Sequence, residues 1–105
     1  MMFTLGLALT LRPGAYPQYK LAHDELWPEL AAGMSANQVS MAIYRDRNRL
    51  FVFAAAPSEE HWLRSRLDPV LARWDARMAE FLETDAQDRL AFTLLPKAFG
   101  FGEFK

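Results

Sequence analysis

The chain has 105 residues, 51% hydrophobic and 13% aromatic, with 12 basic against 13 acidic side chains and a net charge of −1. That balance suits one compact domain over residues 1–105, with neither the clustered basic face that nucleic acid requires nor a like-charged interaction tail. With no cysteine, disulfides, thiolate nucleophiles, iron–sulfur clusters and cysteine-ligated zinc are excluded.

The first apolar run, Phe3 to Leu11, is too short to span a bilayer and has no basic segment before it, so a soluble cytoplasmic protein without membrane contact is expected. Phe3, Leu5, Leu7, Leu9 and Leu11 recur with period two, which predicts a strand that Pro13-Gly14 stops. From about Ala15 the period becomes helical, with Tyr16, Tyr19, His23, Leu26, Trp27 and Leu30 on one stripe. Pro17 fits a first turn, whereas Pro28 reads as an interior kink or break, because the residue before a proline is pushed out of the helical region. Gly33 to Asn37 reads as a loop. Val39, Met41 and Ile43 alternate with polar or small residues in a second strand; Asp46-Arg47-Asn48 is a turn, and Leu50 to Ala56 completes a hairpin. Ser58 reads as the cap of a short helix with Glu59 and Glu60 in its first turn. Asp68-Pro69 starts another helix, whose stripe is Val70, Leu71, Trp74, Met78, Phe81 and Leu82. Leu90 to Leu95 is a fourth strand, and the aromatic tail from Lys97 to Lys105 is either strand or a partner-binding arm.

The predicted order is β-α-β-β-α-β with the second helix in two pieces, an α+β domain of the ferredoxin-like kind with an antiparallel sheet and helices on one face. The uncovered face would carry Thr4, Gly6, Ala8, Thr10, Ser40, Ala42, Tyr44, Phe51 and Phe53. A face so apolar predicts either a two-fold homodimer with stacked sheets or cover by the chain's own tail.

Tyr19, His23 and Trp27 lie one turn apart on one helix face. Such a stripe is also the pattern of plain core. As a site it offers a hydroxyl, a proton shuttle near neutral pH and a flat apolar wall, the mixture a sugar ring needs. His61 reads as a solvated histidine in a first turn. Asp75 shares the stripe of Leu71, Met78 and Leu82, so it either pairs with Arg64, Arg73 or Arg77 or lines a pocket. Two separated histidines make no metal site, and phosphate loops and serine-nucleophile motifs are absent.

The run Tyr19-Lys20-Leu21-Ala22-His23-Asp24-Glu25-Leu26-Trp27-Pro28-Glu29-Leu30 resembles the tyrosine–x3–histidine–x3–tryptophan–proline–glutamate–leucine signature of the L-rhamnose mutarotases. Ala42-Ile43-Tyr44, Leu50-Phe51, Ser58 to Trp62 and Asp68 to Met78 follow collinearly, so the resemblance covers about residues 5 to 95. It implies a dimeric α+β barrel that interconverts the α and β anomers of L-rhamnose with neither metal nor cofactor. It implies further that His23 is the proton donor and that Tyr19 and Trp74 bind sugar. Two positions depart from the family pattern: Asp75 replaces the second of two adjacent tryptophans, and Met41 replaces a sugar-contacting tyrosine. These departures widen the expected substrate to a related deoxyhexose such as L-fucose. A small cofactor-free monooxygenase and a non-catalytic sugar-binding dimer are the alternatives, since one fold serves many functions.

Overall fold

The computed structural model describes residues 2–105. The alternating leucines form strand β1 (Phe3–Thr10). Arg12 and Pro13 lead into a turn that Gly14 closes with φ of 75°, a conformation open to glycine at no steric cost. Helix α1 (Tyr16–Asp24) carries Pro17 in its first turn. Helix α2 (Pro28–Ala36) starts at Pro28, since Trp27 sits at φ −59° and ψ 129°. The expected break is present, and Pro28 itself begins the second segment, where its missing N–H costs nothing. Gly33 to Ala36, expected as loop, continue α2. Gly33 belongs there because a Cβ would stand 3.1 Å from an Asp68 carboxylate oxygen, so the glycine lets the start of the last helix close against α2.

Strands β2 (Ser40–Asp46) and β3 (Arg49–Ala56) form the expected hairpin, with Arg47 at positive φ in the turn. Helix α3 (Glu59–Ser65) is capped by Ser58, whose hydroxyl oxygen accepts the His61 backbone N–H at 3.2 Å. Helix α4 (Val70–Met78) begins one residue past Pro69, and the Asp68 carboxylate accepts the Val70 N–H at 3.0 Å. Strand β4 keeps only Phe92–Leu94 of the expected run, and the tail holds a single 3-10 turn at Gly102–Phe104 in place of a fifth strand.

The sheet order is β2-β3-β1-β4, with every neighbouring pair antiparallel. This is the split β-α-β arrangement of the ferredoxin-like fold. The register sets Leu7 opposite both Val52 and Leu94, and Val52 opposite Ile43, so the leucines of β1 face the helices. Between the layers, Leu11, Leu50 and Leu82 are fully buried beside Tyr19, Trp74 and Phe81. Each large apolar side chain so buried contributes roughly 1.5–3 kcal/mol. Gly6, Ala42 and Phe53 share the opposite face, as the sequence predicted. The tail covers part of it: Leu95 packs at Gly6, and the Phe104 ring meets the edge of Phe53 at 5.2 Å. Tyr44 stays 70% exposed on this face, so the cover is incomplete. No described helix is long and apolar enough to cross a membrane.

Candidate active site

A cavity of about 920 Å³ lies between the helix-facing side of the sheet and the helices. Its floor is apolar, from Leu5, Leu7, Met41, Ile43 and Val52. Tyr19, His23, Trp74 and Asp75 line it from the helices. Met41, Asp75 and Phe92 are exposed, so the cavity communicates with solvent on their side. Five of the six residues expected at a site are thus brought together. The sixth, Trp27, is not among the lining residues. It stands behind the wall, edge-on to Trp74 with ring centroids 5.2 Å apart. The break before Pro28 puts it there, because the chain leaves the α1 axis at Glu25 and the stripe no longer continues in line.

His23 occupies the last turn of α1. Its Nδ1 lies 2.9 Å from the Tyr19 carbonyl oxygen, an acceptor, so Nδ1 carries the proton and donates. The neutral ring then has one nitrogen, Nε2, left to act as acceptor or base. The ring is braced by Tyr19 at 4.3 Å and by the edge of Trp74 at 5.2 Å between centroids. Burial pushes the His23 pKa below its ordinary 6.5, only partly offset by the hydrogen bond to Tyr19. A helix C-terminus by itself favours a cation; here desolvation outweighs it. His23 is therefore neutral at pH 7, and Nε2 presents a lone pair.

Burial, with Tyr16 nearby, pushes the Tyr19 phenol up to about 12, so it stays protonated. The Tyr19 hydroxyl has no hydrogen-bond partner among the described residues, yet no fully buried side-chain nitrogen or oxygen there is left unpaired. The hydroxyl is accordingly in reach of a molecule in the cavity.

Asp75 pairs with none of the three arginines considered for it. Arg64 stands 3.7 Å from Glu60, Arg73 2.9 Å from Glu29, and Arg77 3.1 Å from Glu80. Partial burial raises the Asp75 carboxyl above its ordinary value, and the charge of Arg66 pulls it back. Those three arginines are satisfied by Glu60, Glu29 and Glu80, and Asp75 is left among the residues that line the cavity. Among the lining residues not foreseen are an aromatic and a cation from one stretch of chain. Trp62 and Arg66, one turn apart on and just after α3, both reach the cavity, the guanidinium 4.3 Å above the indole. The i, i+4 spacing was the available signal. His61, expected to be solvated, is half-buried, with Nδ1 2.7 Å from the Ser58 hydroxyl, and is not among the lining residues.

The family model of L-rhamnose mutarotase matches residues 4–99. An L-rhamnose mutarotase of Rhizobium leguminosarum bv. trifolii is 35% identical over 81 residues, 73% of this chain and 76% of that protein. One from Oceanobacillus iheyensis is 26% identical over 97 residues, covering 90% of this chain and 93% of that protein. The crystal structure of an L-rhamnose mutarotase from Formosa agariphila superposes with a TM-score of 0.79 at 25% identity, covering 95% of this chain and 99% of that one.

Proposed function

Since the chain belongs to the L-rhamnose mutarotase family, we propose that it interconverts the α and β anomers of L-rhamnose or a related deoxyhexose, with His23 moving the proton. The observation that carries the reading is the anchored imidazole, with Nδ1 held by the Tyr19 carbonyl and one nitrogen left for a ligand in the cavity.

Ring opening breaks the bond from C1 to the ring oxygen while the anomeric hydroxyl becomes the aldehyde. One proton leaves the anomeric oxygen and one arrives on the ring oxygen, with no net change in charge. Both oxygens are bonded to C1, so a single Nε2 can take the first proton as base and deliver it as donor from the imidazolium. Rotation about C1–C2 presents the other aldehyde face, and the steps reverse. Nδ1 takes no part in the transfer, because it is occupied in orienting the ring. A positioned proton-transfer group contributes roughly 10²–10⁴-fold, which suffices for a reaction that already proceeds in water. The Tyr19 hydroxyl, the Asp75 carboxyl and the Trp74 indole bind the ring, and Met41 supplies an apolar contact where the family has a tyrosine. The chemistry calls for no metal or cofactor.

The same reading makes the protein a cytoplasmic homodimer joined through the open sheet face. Its support is the lack of cysteine and the exposure of Tyr44, Phe51 and Phe53 at 70%, 37% and 38%. Sedimentation equilibrium giving a monomer at micromolar concentration would remove that part. For the activity, saturation-transfer NMR on L-rhamnose and L-fucose should show protein-dependent anomer exchange that folded His23→Ala lacks. Sugar binding without exchange would leave a binding protein, and undiminished exchange in the variant would remove His23.

A further inference from the structure

Of the two cations that line the cavity among the described residues, Arg89 is engaged by Asp85 and Gln87, whereas Arg66 has no carboxylate partner. It follows the last turn of α3, half-buried, and its guanidinium lies 4.3 Å above the Trp62 ring. Its Nε donates to the Ser65 hydroxyl at 3.3 Å, and that buried hydroxyl donates to the Trp62 carbonyl at 2.6 Å. The stem and one nitrogen are therefore fixed. The two terminal nitrogens have no acceptor among the described residues, and no carboxylate there comes within 4.0 Å. Neither is sealed away from solvent without a partner. Arg66 and Asp75 both line the cavity and feel each other's charge without forming an ion pair.

We propose that Arg66 is a substrate-positioning residue that acts with Asp75, the guanidinium donating to one hydroxyl of a neutral sugar and the carboxylate accepting from its neighbour. The proposal rests on the sugar-binding reading above. A guanidinium presents a planar fork with no acceptor, and a carboxylate only acceptors, so together they match adjacent hydroxyls, each of which can donate and accept. The facing carboxylate balances the charge and disfavours a sugar acid. The proximity of Trp62 and Trp74 also provides a fluorescence signal for binding.

Dissociation constants of L-rhamnose and its 2-, 3- and 4-deoxy analogues are measured by tryptophan quenching for the wild type and Arg66→Gln, with melting temperatures alongside. The wild type should bind one or two of the deoxy analogues roughly tenfold more weakly than L-rhamnose, the scale of a hydrogen bond to a charged group. In Arg66→Gln that preference should shrink to within about twofold for the analogue whose hydroxyl Arg66 holds. A preference unchanged in Arg66→Gln, whatever its melting temperature, overturns the proposal and leaves Arg66 a brace for Trp62. Tighter binding of galacturonate than of L-rhamnose overturns the choice of a neutral sugar. Binding that depends on Arg66 without anomer exchange sustains this inference and removes only the catalytic reading.

Discussion

The two histidines make a controlled comparison inside one chain. Both are half-buried, both belong to helices, and both have Nδ1 engaged by an oxygen within 3 Å. The partners differ in kind. The Tyr19 carbonyl only accepts, so it fixes the proton on His23 Nδ1 and frees Nε2 as a base. The Ser58 hydroxyl already accepts the His61 backbone N–H and can both donate and accept, so it does not fix the proton on either nitrogen of His61. The His61 ring is instead tied to a helix cap. Burial lowers the His23 pKa, and only His23 borders the cavity. Residue type therefore decides little; the partner of Nδ1 and the space beside Nε2 decide which imidazole can do proton chemistry.

The largest separation should come from removing each ring. His23→Ala is expected to lower protein-dependent anomer exchange by roughly 10²–10⁴-fold, while His61→Ala leaves it at the wild-type rate, both read by saturation-transfer NMR. Equal losses in two folded variants would erase the distinction.

Next is pH. Neutral His23 is the base, so kcat/KM should be flat across neutrality and fall about tenfold per pH unit below a midpoint that lies under 6.5. The linkage has the same sign. The folded state resists protonation of His23, so the stability this group contributes is complete above 6.5 and declines as pH falls from there through the lower folded value. Urea titrations at several pH values should show that decline weakened in His23→Ala.

Selectivity gives a smaller effect. Asp75→Trp exchanges a hydrogen-bonding carboxylate for a stacking surface beside Trp74. The ratio of exchange rates on L-rhamnose and L-fucose should move toward L-rhamnose, and an unmoved ratio would take Asp75 out of the sugar's reach. Smallest is Ser58→Ala, which removes the α3 cap and the His61 partner together. It should cost about 1 kcal/mol in thermal or urea unfolding and leave exchange intact.

Much of this was legible along the chain because the physics is local. The alternation in β1, the hairpin turn at Arg47, the Ser58 cap and the two-part second helix follow from side-chain period, positive φ and capping oxygens within a few residues. Even the open sheet face was readable, since successive strand residues must point to opposite sides. The errors sit where two local rules compete. At Pro28 the break itself was legible, but not that a new helix starts on the proline and carries Leu30 into the core. Gly33 reads as a loop residue until Asp68 packs against the surface its missing Cβ leaves open.

By itself the sequence determined the ferredoxin-like order and the grouping of Tyr19 with His23, because neighbours one helical turn apart share a face under any packing. The tertiary structure alone decided that Trp27 falls behind the cavity wall, that Asp75 answers to Arg66, and which nitrogen of His23 remains available. Those outcomes depend on distances between elements far apart in the chain and on desolvation. Both arise only when the helix layer closes on the sheet.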